Sequence, residues 1–301
     1  MKRLLKRALH GAFVSAQAIR LDVLPRHFYS EIPDLRRLRR STAWKAPYSM
    51  IGVDGADPEA QLIFLRQVMT PRSEQSGLAY DRACADNGAP GYGVAEAQFL
   101  FQYIVRFRPR RIVQIGAGVA TSVMLQAADS AGHALDLVCI DPFPTAYLRR
   151  LAKDGRIVSI DRPVEETDPA TVDALAAGDL LFIDSTHTLG PAGEATRLIL
   201  EWLPRVKTGV DVHFHDIMFP YDYMPDLLDG ALFFPHETPL LHAFLCMNPN
   251  FAIRCSLAML HHARPRELAA LLPHYQAPAT DAGLAVGPGH IPSAIILKRV
   301  R

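Results

Sequence analysis

The sequence predicts an α/β protein built on a mostly parallel sheet, and three observations carry that expectation. Between about residues 94 and 216, short β-type segments alternate with helical ones. Such alternation gives parallel strands with helices on both faces. Four of the strand segments end in glycine, aspartate or histidine, so chemistry-bearing residues recur at one kind of position. The chain has 301 residues, 49% hydrophobic and 21% charged, which suits one large domain with an appendage or two small domains.

The elements follow in order. Ala95, Phe99, Leu100, Tyr103 and Ile104 share one apolar helix face, and Arg108-Pro109 ends that helix. Strands are expected over 111–115, 136–140, 156–160, 180–183 and 210–215, with helices over 121–128, 145–152, 169–176 and 194–202 between them. After residue 216 the alternation breaks. Residues 251–256 and 293–300 read as two late strands, with a helix over 266–272 between them. That pattern suits an antiparallel addition at one edge of a parallel sheet.

The first 50 residues differ from the rest. They hold eleven Lys/Arg against three Asp/Glu, a net charge of +8, while residues 51–301 carry −7. Leu4, Leu5, Ala8, Leu9, Ala12, Phe13 and Ala16 recur at helical spacing with Lys2, Arg3, Lys6, Arg7 and His10 elsewhere on the wheel, a basic amphipathic helix. Residues 22–60 show no clear period and read as an extended arm. The expected organisation is a basic arm and helical extension over 1–90 followed by the α/β domain over 91–301. Peripheral membrane contact through the basic helix and a homo-oligomeric assembly are expected.

Composition excludes several classes. Disordered, collagenous and disulfide-scaffold proteins are out, and no apolar run approaches the ~18 residues of a membrane span. The apolar stretch of the first helix is short and interrupted by His10 and Gly11, which argues against a signal peptide. Cys84, Cys139, Cys246 and Cys255 form no CxxC pair, so a reducing, cytoplasmic setting is expected. No interleaving of aromatic and basic residues on the core suggests a nucleic-acid groove.

Ligands of open parallel sheets bind beyond the carboxyl ends of the strands. Here those ends carry Gly116-Ala117-Gly118, Asp141, Asp184-Ser185-Thr186-His187 and His215-Asp216. Gly116 permits a tight turn and Gly118 a close approach of ligand to backbone. Asp141, 25 residues after Gly116, can accept two ribose hydroxyls. The same residues read blandly as a strand–helix turn with a capping aspartate.

The glycine loop, the strand-end acid, Asp-Leu-Leu-Phe-Ile-Asp-Ser-Thr-His and His-Phe-His-Asp-Ile together resemble class I S-adenosylmethionine-dependent methyltransferases. More narrowly, they resemble the bacterial group that modifies sugars and natural products, over roughly residues 90–301. The resemblance implies a Rossmann-like sheet of seven strands with an antiparallel C-terminal strand. It implies that Gly116, Ala117 and Gly118 lie under the methionine part of S-adenosyl-L-methionine and that Asp141 holds its ribose. Gln114 stands where the family has an acid and would orient the loop; Glu96 would pair the cofactor ammonium. Asp184 would line the transfer site.

The reaction expected is O-methylation of a small molecule or saccharide. His187 and His215 are candidate bases beside Asp184 and Asp216. Alternatively, Asp184 and Asp216 hold a divalent cation such as Mg that orients the acceptor. Competing readings are a nicotinamide-dependent oxidoreductase and a non-catalytic binding protein of the same fold.

Overall fold

In the computed structural model the chain divides into two compact units, Met1–Thr42 and Ala43–Arg301. Residues 2–30, 32–69, 73–191, 193–224, 227–228, 233–278 and 291–301 are described. The first unit holds helix α1 (Lys2–Gln17) and the short helix α2 (Leu35–Arg40), whose first turn is capped by the Asp34 carboxylate.

The second unit is an α/β sandwich. Its helices are α3 (Pro58–Val68), α4 (Ser73–Asn87), α5 (Val94–Phe107), α6 (Val119–Ala131), α7 (Ala146–Lys153), α8 (Glu194–Arg197), α9 (Glu237–Leu245), α10 (Leu257–Ala263) and α11 (Pro265–Leu271). Its strands are β1 (Arg111–Ile115), β2 (Asp136–Ile140), β3 (Val158–Ile160), β4 (Leu180–Ile183), β5 (Asp211–Phe214), β6 (Phe251–Ser256) and β7 (Ile295–Arg299). They form one sheet in the order β3-β2-β1-β4-β5-β7-β6. The first five strands run parallel, and β7 runs antiparallel between β5 and β6. This is the Rossmann-like mixed sheet that the sequence predicts.

Alternation along the strands divides the core into two layers. Ile112, Leu180 and Phe182 pack on one face with Phe99, Tyr103, Ile104 and Met124 of α5 and α6. Val113, Ile115, Leu181, Ile183, Val212 and Phe214 pack on the other with Leu198, Trp202 and Leu241. Strands β4 and β5 are buried throughout; β4 is accordingly an unbroken apolar run, while β5 also buries Asp211 and His213.

Several expected elements differ. The expected domain boundary near residue 90 does not coincide with the division between units, because α3 and α4 pack within the second unit against β6, α5 and α6. Helix α3 begins with Asp57 accepting from the Glu59 and Ala60 amides and Pro58 in the first turn, so the arm ends before it. Residues 169–174 form a 3₁₀ turn rather than an α-helix. The helix expected over 194–202 is broken into α8, a π turn over Leu198–Trp202 and a 3₁₀ turn over Leu203–Arg205, where Pro204 removes a backbone donor. Helices α9 and α10 are additions to the expectation.

Candidate active site at the carboxyl edge of the sheet

Register explains why the strand-end residues meet. Ile115 pairs with Ile140 on one side and Ile183 on the other, and Ile183 pairs with Phe214. The next residues continue the ladder: the amides of Gly116, Asp184 and His215 donate to the carbonyls of Ile140, Ile115 and Ile183 at 3.0, 3.0 and 2.9 Å. Gly116, Asp141, Asp184 and His215 therefore form one row. Strand order reverses between β1 and β4, so the crevice opens between Gly116 and Asp184.

A cleft of about 360 Å³ lies there, lined by the loop over 116–118, Asn87, Tyr92, Asp141, Thr145 and Asp184 among others. Gly116 has φ 74°, and a Cβ on it would collide with the carbonyl oxygen of Asp184. The turn therefore requires glycine for internal reasons. Gly118 is different: a Cβ there would meet no atom within 4 Å, so its bareness keeps space open in the cleft.

Asp141 is braced from below. Its carboxylate accepts the Ala117 amide at 2.8 Å and the Phe143 amide at 2.6 Å, which leaves further lone pairs on both oxygens. Gln114 is buried; it donates to the Gly116 carbonyl at 2.8 Å and accepts from the Thr121 hydroxyl at 3.0 Å. It holds the glycine loop from beneath, outside the cleft lining. Glu96 is likewise buried, accepts the Ser293 amide at 3.0 Å and does not line the cleft. Glu96, expected to pair the cofactor ammonium, here turns Oε1 toward the Ser293 amide.

The four remaining candidates converge. His215 Nδ1 lies 3.2 Å from Asp184 Oδ1 and 3.7 Å from Asp216 Oδ2. His187 Nε2 lies 3.4 Å from Asp216 Oδ2 and 3.7 Å from Asp184 Oδ1. Both imidazoles thus flank the same two carboxylates, which are only partly buried. His187 and Asp216 both sit at φ 59°, a left-handed conformation that costs non-glycine residues energy and turns these side chains back toward the edge.

Glu237, at the start of α9, was absent from the sequence-level candidates. It is 1% exposed, and its Oε2 lies 2.7 Å from His187 Nδ1. Its Oε1 accepts from the Ser185 hydroxyl at 2.9 Å, and Ser185 Oγ in turn accepts the His187 amide at 3.0 Å. The carboxylate fixes the ring and aims Nε2 at Asp184 and Asp216. A glutamate 50 residues downstream, past a loop without periodicity, gave no sequence signal.

Charge tuning follows from these contacts. Burial disfavours the charged form of His215, but Asp184 and then Asp216 overcome it and push its pKa up to about 9. Burial likewise works against a charged His187, and Glu237 outweighs it to raise the pKa. Burial would raise Asp184, yet His215 and His187 hold it below the usual carboxylate range. His213 goes the other way: burial drops its pKa to about 3, and neutral His213 shares a 2.9 Å hydrogen bond with the Tyr92 hydroxyl while stacking on Phe182.

The expected cation on Asp184 and Asp216 does not find a ligand set. Both carboxylates face imidazoles, and Asp216 Oδ1 also accepts from the Ser293 hydroxyl at 2.8 Å. Among the described residues no group of three or more His, Cys, Asp or Glu is arranged to hold a metal ion. His261, away from the cleft, is buried and hydrogen-bonds the Tyr275 hydroxyl at 2.8 Å. The aromatic segment after β5 packs inward, with Phe219 and Tyr221 buried outside the cleft lining. The four cysteines are free, and among the described residues no helix is long and apolar enough to cross a membrane.

Residues 113–217 match the family described as Methyltransferase domain, which spans β1 to the end of β5 and includes every strand-end candidate. An uncharacterized protein of Archaeoglobus fulgidus is 28% identical over 160 residues, covering 48% of this chain and 69% of its own. A Podospora anserina methyltransferase with bound S-adenosylhomocysteine is 13% identical at a TM-score of 0.42, covering 93% of this chain and 100% of its own. A Burkholderia thailandensis 1,6-didemethyltoxoflavin-N1-methyltransferase is 16% identical at a TM-score of 0.35, covering 76% of this chain and 80% of its own. The residues around the cleft fit S-adenosylmethionine: an open glycine, a braced carboxylate and a volume in the range of small-molecule pockets. Residues 113–217 thus match a methyltransferase domain, and the sheet and cleft around them have the order and the strand-end loop of a Rossmann-like fold.

Proposed function

We propose that the protein methylates a hydroxyl group of a small molecule or saccharide, with His187 as the base. The observation that carries this reading is the Glu237–His187 pair, 2.7 Å apart, whose far nitrogen faces Asp184, which lines the cleft, and Asp216 next to it. When bound, S-adenosylmethionine supplies an electrophilic methyl group. Gly116, Ala117, Gly118 and Asp141 are the residues that would hold it.

A hydroxyl is a poor nucleophile until its proton is removed as it attacks. His187 suits that task because Glu237 binds Nδ1–H and leaves Nε2 as the acceptor. Glu237 also stabilises the imidazolium once the proton has arrived. His215 has a different role: at neutral pH it is an imidazolium paired with Asp184, and the pair keeps the Asp184 carboxylate ionised beside the cleft. Asp184 and Asp216 then accept hydrogen bonds from the acceptor and orient it, and positioning of this kind supplies part of the barrier reduction.

The test is transfer of isotopically labelled methyl from S-adenosylmethionine to a panel of sugars, catechols and amines, with product structures determined by NMR. Methyl ethers as the products support the reading; label on nitrogen alone refutes it. His187→Ala should lower turnover by roughly 10²–10⁴-fold with little change in S-adenosylhomocysteine affinity. Because the His187 pKa lies above its ordinary value, activity should rise with pH through the neutral to mildly alkaline range.

A further inference from the structure

We propose that residues 2–42 are a docking surface for an anionic lipid bilayer. Among the described residues of this unit, none is buried. Large apolar side chains stand open along its length, including Leu5, Leu9, Ile19, Leu24, Phe28 and Ile32, with Phe28 at 92% exposure. The unit carries ten Lys/Arg against three Asp/Glu, a net charge of +7.

Helix α1 combines both properties. Leu5, Leu9, Ala12 and Ala16 follow helical spacing along one stripe, while Lys6, Arg7 and His10 occupy another. A helix of this type lies in the plane of a bilayer, its apolar stripe among the acyl chains and its basic stripe among anionic headgroups. The chain after α1 continues the pattern. Phe28 and Tyr29 are exposed aromatic rings of the kind found at membrane–water boundaries, and the open cavity beside them is lined by Arg37, Phe28, Ile32 and the Arg26–Asp34 ion pair among others.

Charge and apolarity together select the occupant. A nucleic acid would match the charge and leave the apolar residues in water. A second copy of the same unit would match the apolar residues and bring two +7 surfaces together. A bilayer containing acidic lipid answers both demands at once.

The test is flotation of the full chain with phosphatidylcholine vesicles, with and without phosphatidylglycerol, at low and high salt. The expected result is binding to the anionic vesicles that weakens with salt. Two exposed-residue variants, Leu5→Glu with Leu9→Glu and Lys6→Glu with Arg7→Glu, should each lower the vesicle-bound fraction at least tenfold. Both should bind S-adenosylhomocysteine as the parent does, which separates loss of docking from loss of fold. Failure to bind anionic vesicles at low salt overturns the proposal. So does equal binding to neutral vesicles, or an apolar-stripe variant that binds undiminished. Concentration-dependent dimerisation abolished by Leu5→Glu with Leu9→Glu, without vesicle binding, would assign the surface to a second copy instead.

Discussion

Gly116 and Gly118 stand two residues apart and meet different demands. At Gly116 the obstacle is the protein itself: φ is 74° and a Cβ would strike the Asp184 carbonyl, so Gly116→Ala should destabilise the fold by roughly 1–3 kcal/mol. At Gly118 nothing in the protein lies within 4 Å of an added Cβ. Gly118→Val should therefore retain most of the parent melting temperature while losing S-adenosylhomocysteine affinity by more than tenfold. Thermal melts and calorimetric titration on the two variants separate these outcomes. The Asp184–His215 pair adds a pH signature. A histidine whose pKa is raised from 6.5 to about 9 stabilises the fold fully below its unfolded value and loses that contribution as pH rises through about 9. Urea unfolding should show a loss on the order of 3 kcal/mol between about pH 6 and about pH 10. Asp184→Asn should flatten that slope. At this scale the strand-end residues were readable because each sits at a local signal, a strand followed by a turn. Glu237 was not, since its partnership with His187 is made only by α9 folding back over the edge.

Among the elements, the segment between the basic unit and α3 matters most for how the chain is divided. Met50 and Val53 are buried, the Tyr48 amide donates to the Pro220 carbonyl at 2.8 Å, and the Ile253 amide donates to the Asp54 carbonyl at 2.8 Å. These residues belong to the second unit and cover one side of β6. Deleting residues 1–42 should leave S-adenosylhomocysteine affinity unchanged. Deleting 1–57 should cost about 3 kcal/mol or more of stability, since two core side chains are lost and the edge of β6 opens. Urea unfolding of the two truncations compares them directly. The Asp57-Pro58 start of α3 is a helix signal present in the sequence, overridden there by the aperiodic composition around it. The break after α8 has the opposite origin: its apolar spacing continues, and Pro204 with the π turn interrupts the backbone beneath it.

For the whole molecule, cofactor binding and folding are linked. S-Adenosylhomocysteine at a hundred times its dissociation constant should stabilise the native state by about 2.7 kcal/mol and raise the melting temperature by roughly 5 °C or more. NAD at the same concentration should leave it unchanged, which checks the cofactor class independently of any acceptor. Parallel-sheet architecture, the row Gly116, Asp141, Asp184 and His215, and the unlike basic arm all follow from sequence. Period, strand-end polarity and charge are local properties, and parallel strands in register must bring their ends together. The pairing of His187 with Glu237, the bracing of Asp141 by loop amides and the burial of Gln114 and Glu96 come from tertiary structure alone. Each depends on how chain segments of no marked period cross the sheet edge, and such crossings are set by packing between residues distant in sequence.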